Sequence, residues 1–157
     1  MKMDILLACS AGGHLTEMRQ LRPFYAHYSY GFVTFARPDT ESLAKTEKVH
    51  FITRPARNIL STLRAFVEAN AVLAREKPKL IISTGADVAV PVCVLAKLRG
   101  IPIVWIESFC RPEQPSLSGR IVSLFATRVI YQWRELEKFY PSGIFGGSIF
   151  SSREVMV

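Results

Sequence analysis

Residues 3–9 form a short apolar run that stops at Ser10, Ala11, Gly12, Gly13 and His14, after which apolar positions recur at helical spacing through Leu15, Met18 and Leu21. A continuous run giving way to a 3.6-residue period predicts a strand, a glycine turn and a helix. The alternation repeats: residues 30–35 predict a strand, 39–45 a short helix and 49–53 another strand. Ile59, Leu60, Leu63, Phe66, Val67, Ala71 and Ala74 then recur at helical spacing, with Asn70 the polar exception, until Pro78 ends a long helix. Residues 80–83 predict a strand leading into Thr84, Gly85, Ala86 and Asp87, and residues 88–99 a buried helix closed by Gly100. A strand at 103–106, a polar loop at 107–116, a helix at 117–126, a strand at 128–131 and a short helix at 133–139 complete the pattern. After Ile144 the sequence is open between a further strand and a segment reaching toward a partner.

Strands alternating with helices imply parallel strands joined by right-handed crossovers, with both sheet faces covered. The predicted fold is α/β, a doubly wound and mostly parallel Rossmann-like sheet, in one domain over residues 1–157. Ligands of such sheets bind beyond the carboxyl ends of the strands, where connections diverge to opposite faces. That rule selects three loops: 10–14, 83–87 and 107–118.

Composition narrows the partners. A net charge of +7 favours anions: nucleic acid, an anionic membrane surface or phosphate-bearing substrates. The Lys and Arg residues are dispersed, without zinc-finger spacing or an aromatic RNA-binding signature, which disfavours nucleic acid. Cys9, Cys93 and Cys110 are odd in number and far apart, as suits a reducing compartment. No run approaches the roughly 20 apolar residues of a membrane-spanning helix, so the expected membrane contact is peripheral. No metal cluster, Ser-His-Asp order or CxxC pair occurs, and neither a metal nor a cofactor is expected.

In the first loop, Gly12 and Gly13 allow close backbone approach while the helix starting near His14 directs unpaired N–H groups at whatever lies above, with Ser10 alongside. This suits a diphosphate, although the full dinucleotide fingerprint is absent, and a tight turn without ligand is the plainer alternative. His14 is a candidate base toward an incoming hydroxyl, or a phosphate ligand; its alternative is a capping histidine. Thr84, Gly85 and Asp87 can hold sugar hydroxyls, and capping alone also explains Asp87. Glu107 ends an apolar strand, where a buried carboxylate is costly, so it is expected to face a polar crevice with Arg111 and Arg120 as available partners. Ser116, Ser118 and Arg120 place hydroxyls and a cation at a helix start, suited to phosphate or to ordinary capping.

The segments running from Cys9 to His14, Trp105 to Arg111 and Leu117 to Ile121, together with Gln132 and Trp133, carry a family resemblance across almost the whole chain. The sequence resembles the asparagine-linked glycosylation 14 family. Leu117, Ser118, Gly119 and Arg120 followed by Gln132 and Trp133 are its specific elements. The glycine loop is shared more widely, including with the lipid II-forming transferase of peptidoglycan synthesis.

The resemblance implies the amino-terminal, acceptor-side half of a GT-B glycosyltransferase, active only with a small donor-binding partner chain. The implied substrates are a UDP-sugar at the shared cleft and a polyprenyl-diphosphate-linked sugar, with product in polysaccharide or glycan biosynthesis. It further implies that Gly12, Gly13 and His14 line the acceptor diphosphate, with Glu107 and the 116–120 segment near the cleft. Transfer would invert the anomeric carbon, with His14 or Glu107 as the base. The eukaryotic members carry an amino-terminal anchor, whereas this sequence starts almost at its first strand, so the expectation is a peripheral protein at the cytoplasmic face, closer to the bacterial members. The competing readings are a non-catalytic scaffold that recruits a separate transferase and a stand-alone nucleotide-binding protein. Arg57, Arg64, Ile59, Leu60 and Phe66 could rest on an anionic bilayer, but the expectation for this stripe is core.

Overall fold

The computed structural model describes residues 2–150. Seven strands form one all-parallel sheet: β1 (Ile5–Cys9), β2 (Tyr30–Thr34), β3 (Val49–Phe51), β4 (Leu80–Gly85), β5 (Ile103–Ile106), β6 (Arg128–Tyr131) and β7 (Ile144–Phe145), in the order β3-β2-β1-β4-β5-β6-β7. The helices are α1 (Gly13–Gln20), α2 (Arg22–Tyr25), α3 (Pro38–Leu43), α4 (Ile59–Glu76), α5 (Ala89–Leu98) and α6 (Leu117–Val122), with a 3₁₀ turn at Arg134–Leu136. The predicted doubly wound class is what the chain forms. Several elements differ from the expected extents, β3 ending at Phe51 and α3 at Leu43 among them. α2 follows directly on α1 and was not anticipated; α6 stops at Val122, where the following residues continue as tight turns; and the last predicted helix is a single 3₁₀ turn.

The period-two geometry of a strand divides its side chains between two faces. Leu6 and Ala8 of β1 point with Val33, Ile81, Ile103 and Trp105 into a core closed by Ala69, Val72 and Leu73 of α4, Val92 and Cys93 of α5 and Val122 of α6. Ile5, Leu7 and Cys9 point the other way, with Phe32 and Ile82, against Leu15 and Met18 of α1, Tyr25 of α2 and Leu43 of α3. Every residue of β1 is buried, which is why its sequence reads as a continuous apolar run instead of an alternating one. The sheet order reverses direction between β1 and β4, so the crevice of this fold opens above their carboxyl ends.

α4 corrects one expectation. Its apolar stripe is not core: Ile59 is 78% exposed, Leu60 76%, Leu63 58% and Val67 71%. The buried side is built largely from small residues, Ala65 and Ala69 with Val72 and Leu73, and lies diametrically opposite the stripe. Small side chains let the helix approach the sheet closely, and the larger apolar residues are left facing outward. Asn58 caps its start, accepting from the Ser61 amide at 3.0 Å. Among the described residues no helix is long and apolar enough to cross a membrane.

Candidate active site

The carboxyl ends of β1 and β4 bring the first two predicted loops into contact at His14. Its Nδ1 lies 2.8 Å from the Thr84 carbonyl oxygen, and the Thr84 hydroxyl donates to the His14 carbonyl at 2.7 Å. A carbonyl oxygen only accepts, so Nδ1 carries the proton in this contact and the neutral ring keeps a lone pair on Nε2. Gly85 is the other half of the seat. It has φ +115°, and a Cβ there would sit 3.1 Å from both Cε1 and Nδ1 of the imidazole. Thr84 is fully buried and its polar groups are spent on His14, so it supports the histidine and does not face a sugar. Beneath the loop, burial and the nearby Asp39 charge push the Cys9 thiol up to about 12, leaving it a protonated packing group.

Ser10 is buried and donates locally to the Ala11 carbonyl at 3.2 Å, whereas Gly12 and Gly13 are exposed at the start of α1. Gly12 has φ +78°, which only glycine adopts readily, and its N–H donates to the Asp39 carboxylate at 2.7 Å. A carboxylate thus already occupies one of the donors that sequence reasoning reserved for a phosphate. Around this end of the sheet the loops after β2, β3 and β5 present exposed Arg37, Arg54, Arg57 and Arg111. Arg54 pairs with Asp87 at 3.3 Å; among the described residues the other three make no ion pair. Asp87 is not the helix cap itself. Its carboxylate accepts from the Ala56 amide (3.1 Å), Arg54 Nε and the Val88 amide, tying the β3–α4 loop to the β4–α5 loop.

The third loop closes upon itself. Glu107 is 1% exposed: Oε1 accepts from Ser116 Oγ at 2.8 Å and the Ser108 amide at 3.3 Å, and Oε2 accepts from the Tyr140 hydroxyl at 2.5 Å. It faces neither an open crevice nor Arg111 or Arg120, because three neutral donors already satisfy it. Burial and the Glu107 carboxylate raise the Tyr140 pKa far above its usual range, so the phenol remains a donor. Ser116 serves twice, also capping α6 by accepting from the Gly119 amide at 2.9 Å. Gly119 lies against the carboxylate: any Cβ there would overlap Glu107 Oε2 and come within 2.7 Å of the Tyr140 hydroxyl. Ser118 is half-buried, and Arg120 is exposed with its guanidinium 5.7 Å from the Phe139 ring.

Two polar residues outside the three predicted loops connect these parts; of them, sequence reasoning named Gln132 only as a mark of the family resemblance and did not select Glu17. Glu17, one turn after His14 on α1, is 2% exposed and accepts from Ser108 Oγ and the Phe109 amide, each at 2.9 Å. Gln132, at the end of β6, donates to the Glu107 carbonyl at 3.0 Å and accepts from the Ile149 amide at 2.8 Å. Its neighbour Trp133 donates to the Phe109 carbonyl at 2.7 Å. The Gln-Trp pair therefore fixes the loop after β5. Glutamate three residues past a histidine in a helix was the one available signal for Glu17.

Residues 53–149 match the family model described as "Oligosaccharide biosynthesis protein Alg14 like". The chain belongs to this family. The match covers Glu107, Gly119, Gln132 and Trp133, while the glycine loop of this Alg14-like chain is reached by individual relatives. The human UDP-N-acetylglucosamine transferase subunit ALG14 is 29% identical over 179 aligned positions, covering 94% of this chain and 83% of the relative. A Clostridium botulinum UDP-N-acetylglucosamine--N-acetylmuramyl-(pentapeptide) pyrophosphoryl-undecaprenol N-acetylglucosamine transferase is 35% identical over 88 residues, 55% of this chain and 24% of that enzyme. Among solved structures, MurG of Acinetobacter baumannii superposes with a TM-score of 0.69 at 15% identity, over 84% of the Alg14-like chain and 42% of its own. UDP-N-acetylglucosamine 2-epimerase of Rickettsia bellii does so with 0.71 at 15% identity, over 90% and 42%. The fold is the Rossmann-like unit of GT-B proteins, and the chain spans less than half of these solved relatives.

Proposed function

We propose that this chain is the acceptor-side subunit of a glycosyltransferase acting on a polyprenyl-diphosphate-linked sugar, with a UDP-sugar donor held by a separate partner chain. The observation that carries the reading is His14: a half-buried imidazole at the β1/β4 switch point, its Nδ1 proton committed to a main-chain carbonyl and its Nε2 left with a lone pair. The acceptor hydroxyl gives its proton to Nε2 as its oxygen bonds to the anomeric carbon of the donor. The bond from that carbon to the UDP oxygen breaks on the opposite side, UDP leaves with the electron pair, and the configuration inverts. Glu107, enclosed by its donors, positions the β5 loop and is not the base.

Exposed Arg37, Arg57 and Arg111 on the rim, with the free amides at the start of α1, suit the acceptor diphosphate. The outward stripe of α4 starts two residues after Arg57 and carries Arg64 on its flank, a combination suited to an anionic membrane surface on the side where the polyprenyl chain would lie. Division of the enzyme between two chains is supported by the human relative, which is named as a transferase subunit and of which this chain spans 83%. The α4 stripe alone also favours a recruiting scaffold.

The test is transfer from a panel of UDP-sugars to a polyprenyl-diphosphate-linked sugar by this chain, by a candidate donor-binding partner and by the mixture, each with His14 intact and as His14→Asn. Transfer confined to the mixture and lost with His14→Asn supports the subunit reading. Full transfer by the partner alone, or by the mixture carrying His14→Asn, supports the scaffold.

A further inference from the structure

α5 packs against both α4 and α6, and all three lie on the same face of the sheet, so together they form one layer over it. The outward side of that layer is apolar on each helix. α6 repeats the pattern of α4: Gly119 and Val122 are buried, while Leu117 and Ile121, with Leu124 just beyond the helix, are 60%, 39% and 84% exposed on the opposite side. Leu98, the last residue of α5, is 77% exposed between the two stripes. Single apolar side chains on a surface are ordinary, but stripes recurring on neighbouring helices of one layer mark a contact surface. Charge identifies what it meets. The only acidic residues of α4, α5 and α6 are Glu68 and Glu76, already paired with Arg64 and Lys48. Lys97, Arg99 and Arg120 are exposed and, among the described residues, in no ion pair. An apolar surface edged by unpaired cations and without a free carboxylate suits lipid with anionic headgroups.

We propose that the outer side of this three-helix layer is a single membrane-docking surface, with α6 as a second line of contact beside α4, and that its occupant is an anionic bilayer. The proposal rests on the membrane reading of the α4 stripe and extends it to the orientation of the chain. One stripe leaves a molecule free to roll about the helix that carries it, whereas two stripes with α5 between them fix its attitude. The sheet then lies along the membrane. Because α4 follows β3 and α6 follows β5, both helices start at the carboxyl ends of the strands, and their stripes begin at the end of the layer nearest the crevice. The crevice therefore opens along the bilayer surface, where the diphosphate of a lipid-linked acceptor stands.

The experiment is co-sedimentation of the whole chain with vesicles of phosphatidylcholine alone and of phosphatidylcholine mixed with phosphatidylglycerol. It compares the parent, Leu117→Glu with Leu124→Glu, and a control, Phe24→Glu with Tyr28→Glu, whose exposed rings belong to the α2 region on the other face of the sheet. The parent is expected to bind the phosphatidylglycerol vesicles and the α6 pair to bind them about tenfold or more weakly, since each leucine withdrawn from lipid removes an apolar burial. The control is expected to bind as the parent does. Parental binding by the α6 pair, where Leu60→Glu with Leu63→Glu loses it, overturns the second contact and keeps the first; a parent that binds neither vesicle removes both. Equal binding to the two vesicles overturns the anionic occupant, and an equal loss in the control overturns the oriented surface. Should the α6 pair fail to fold, Leu117→Gln with Leu124→Gln is read in its place with the same outcomes, and failure of both pairs to fold overturns the outward placement on which the surface depends. Vesicle binding by a chain that supports no transfer with any partner would retain the surface and discard the transferase reading.

Discussion

His14 has its protonation pattern set by a main-chain oxygen, which no substitution can remove. Its own replacement is the sharper probe: His14→Asn is expected to lower kcat about 10²-fold or more without changing the urea midpoint, since proton transfer by a positioned side chain contributes roughly 10²–10⁴-fold and the ring is only half-buried. Asp39 makes the opposite prediction. Its carboxylate takes the Gly12 amide at 2.7 Å, so Asp39→Asn should tighten binding of inorganic pyrophosphate several-fold, as measured by calorimetry with the isolated chain. Both glycines and the histidine were legible from a strand followed by a turn and a change of period. The closure of Glu107 was not, because its strongest partner, Tyr140, stands 33 residues further along the chain. Glu17 was harder to read for a simpler reason: a lone glutamate on a short helix, next to Thr16, reads as part of a solvated face.

At the scale of elements, α6 and the β5 loop are joined by a carboxylate lying where a methyl group would otherwise fit. Gly119→Ala is expected to destabilise the chain by about 1–3 kcal/mol, the range for overpacking a filled interior. Ser116→Ala should cost about 1 kcal/mol through the lost cap. Urea denaturation measures both. α4 is the element whose boundaries were readable and whose orientation was not. Apolar periodicity identifies a helix correctly but assumes that its largest apolar residues face inward; here Ala65 and Ala69 occupy the interior, and the periodic leucines and isoleucine face solvent. Replacing Leu60 and Leu63 together by Glu should abolish co-sedimentation with vesicles containing anionic lipid while leaving the thermal midpoint within a few degrees. Parent binding should weaken as salt is raised from about 0.1 to 0.5 M.

Across the whole molecule, the parallel sheet followed from the alternation of strands with helices, and the crevice follows from the strand order that the structure adds. Far from the crevice, His50 of β3 is buried beside Arg75 and Glu76 at the end of α4; Arg75 donates to its Nδ1 at 2.7 Å, and burial lowers its pKa below the ordinary 6.5. A depressed histidine binds protons more readily in the unfolded chain, so its contribution to stability is present above pH 6.5 and declines as pH falls below it. His50→Gln should flatten that part of the stability profile, followed by urea denaturation across pH 5–7.5, without altering transfer. One further consequence lies in the order of synthesis. The two strands that frame the crevice, β1 and β4, pair Ile5 with Leu80, so His14 emerges from the ribosome long before its seat exists. A nascent chain halted before β4 would hold the glycine loop and α1 with nothing to orient His14, and the ring can be seated only once Thr84 and Gly85 have left the exit tunnel.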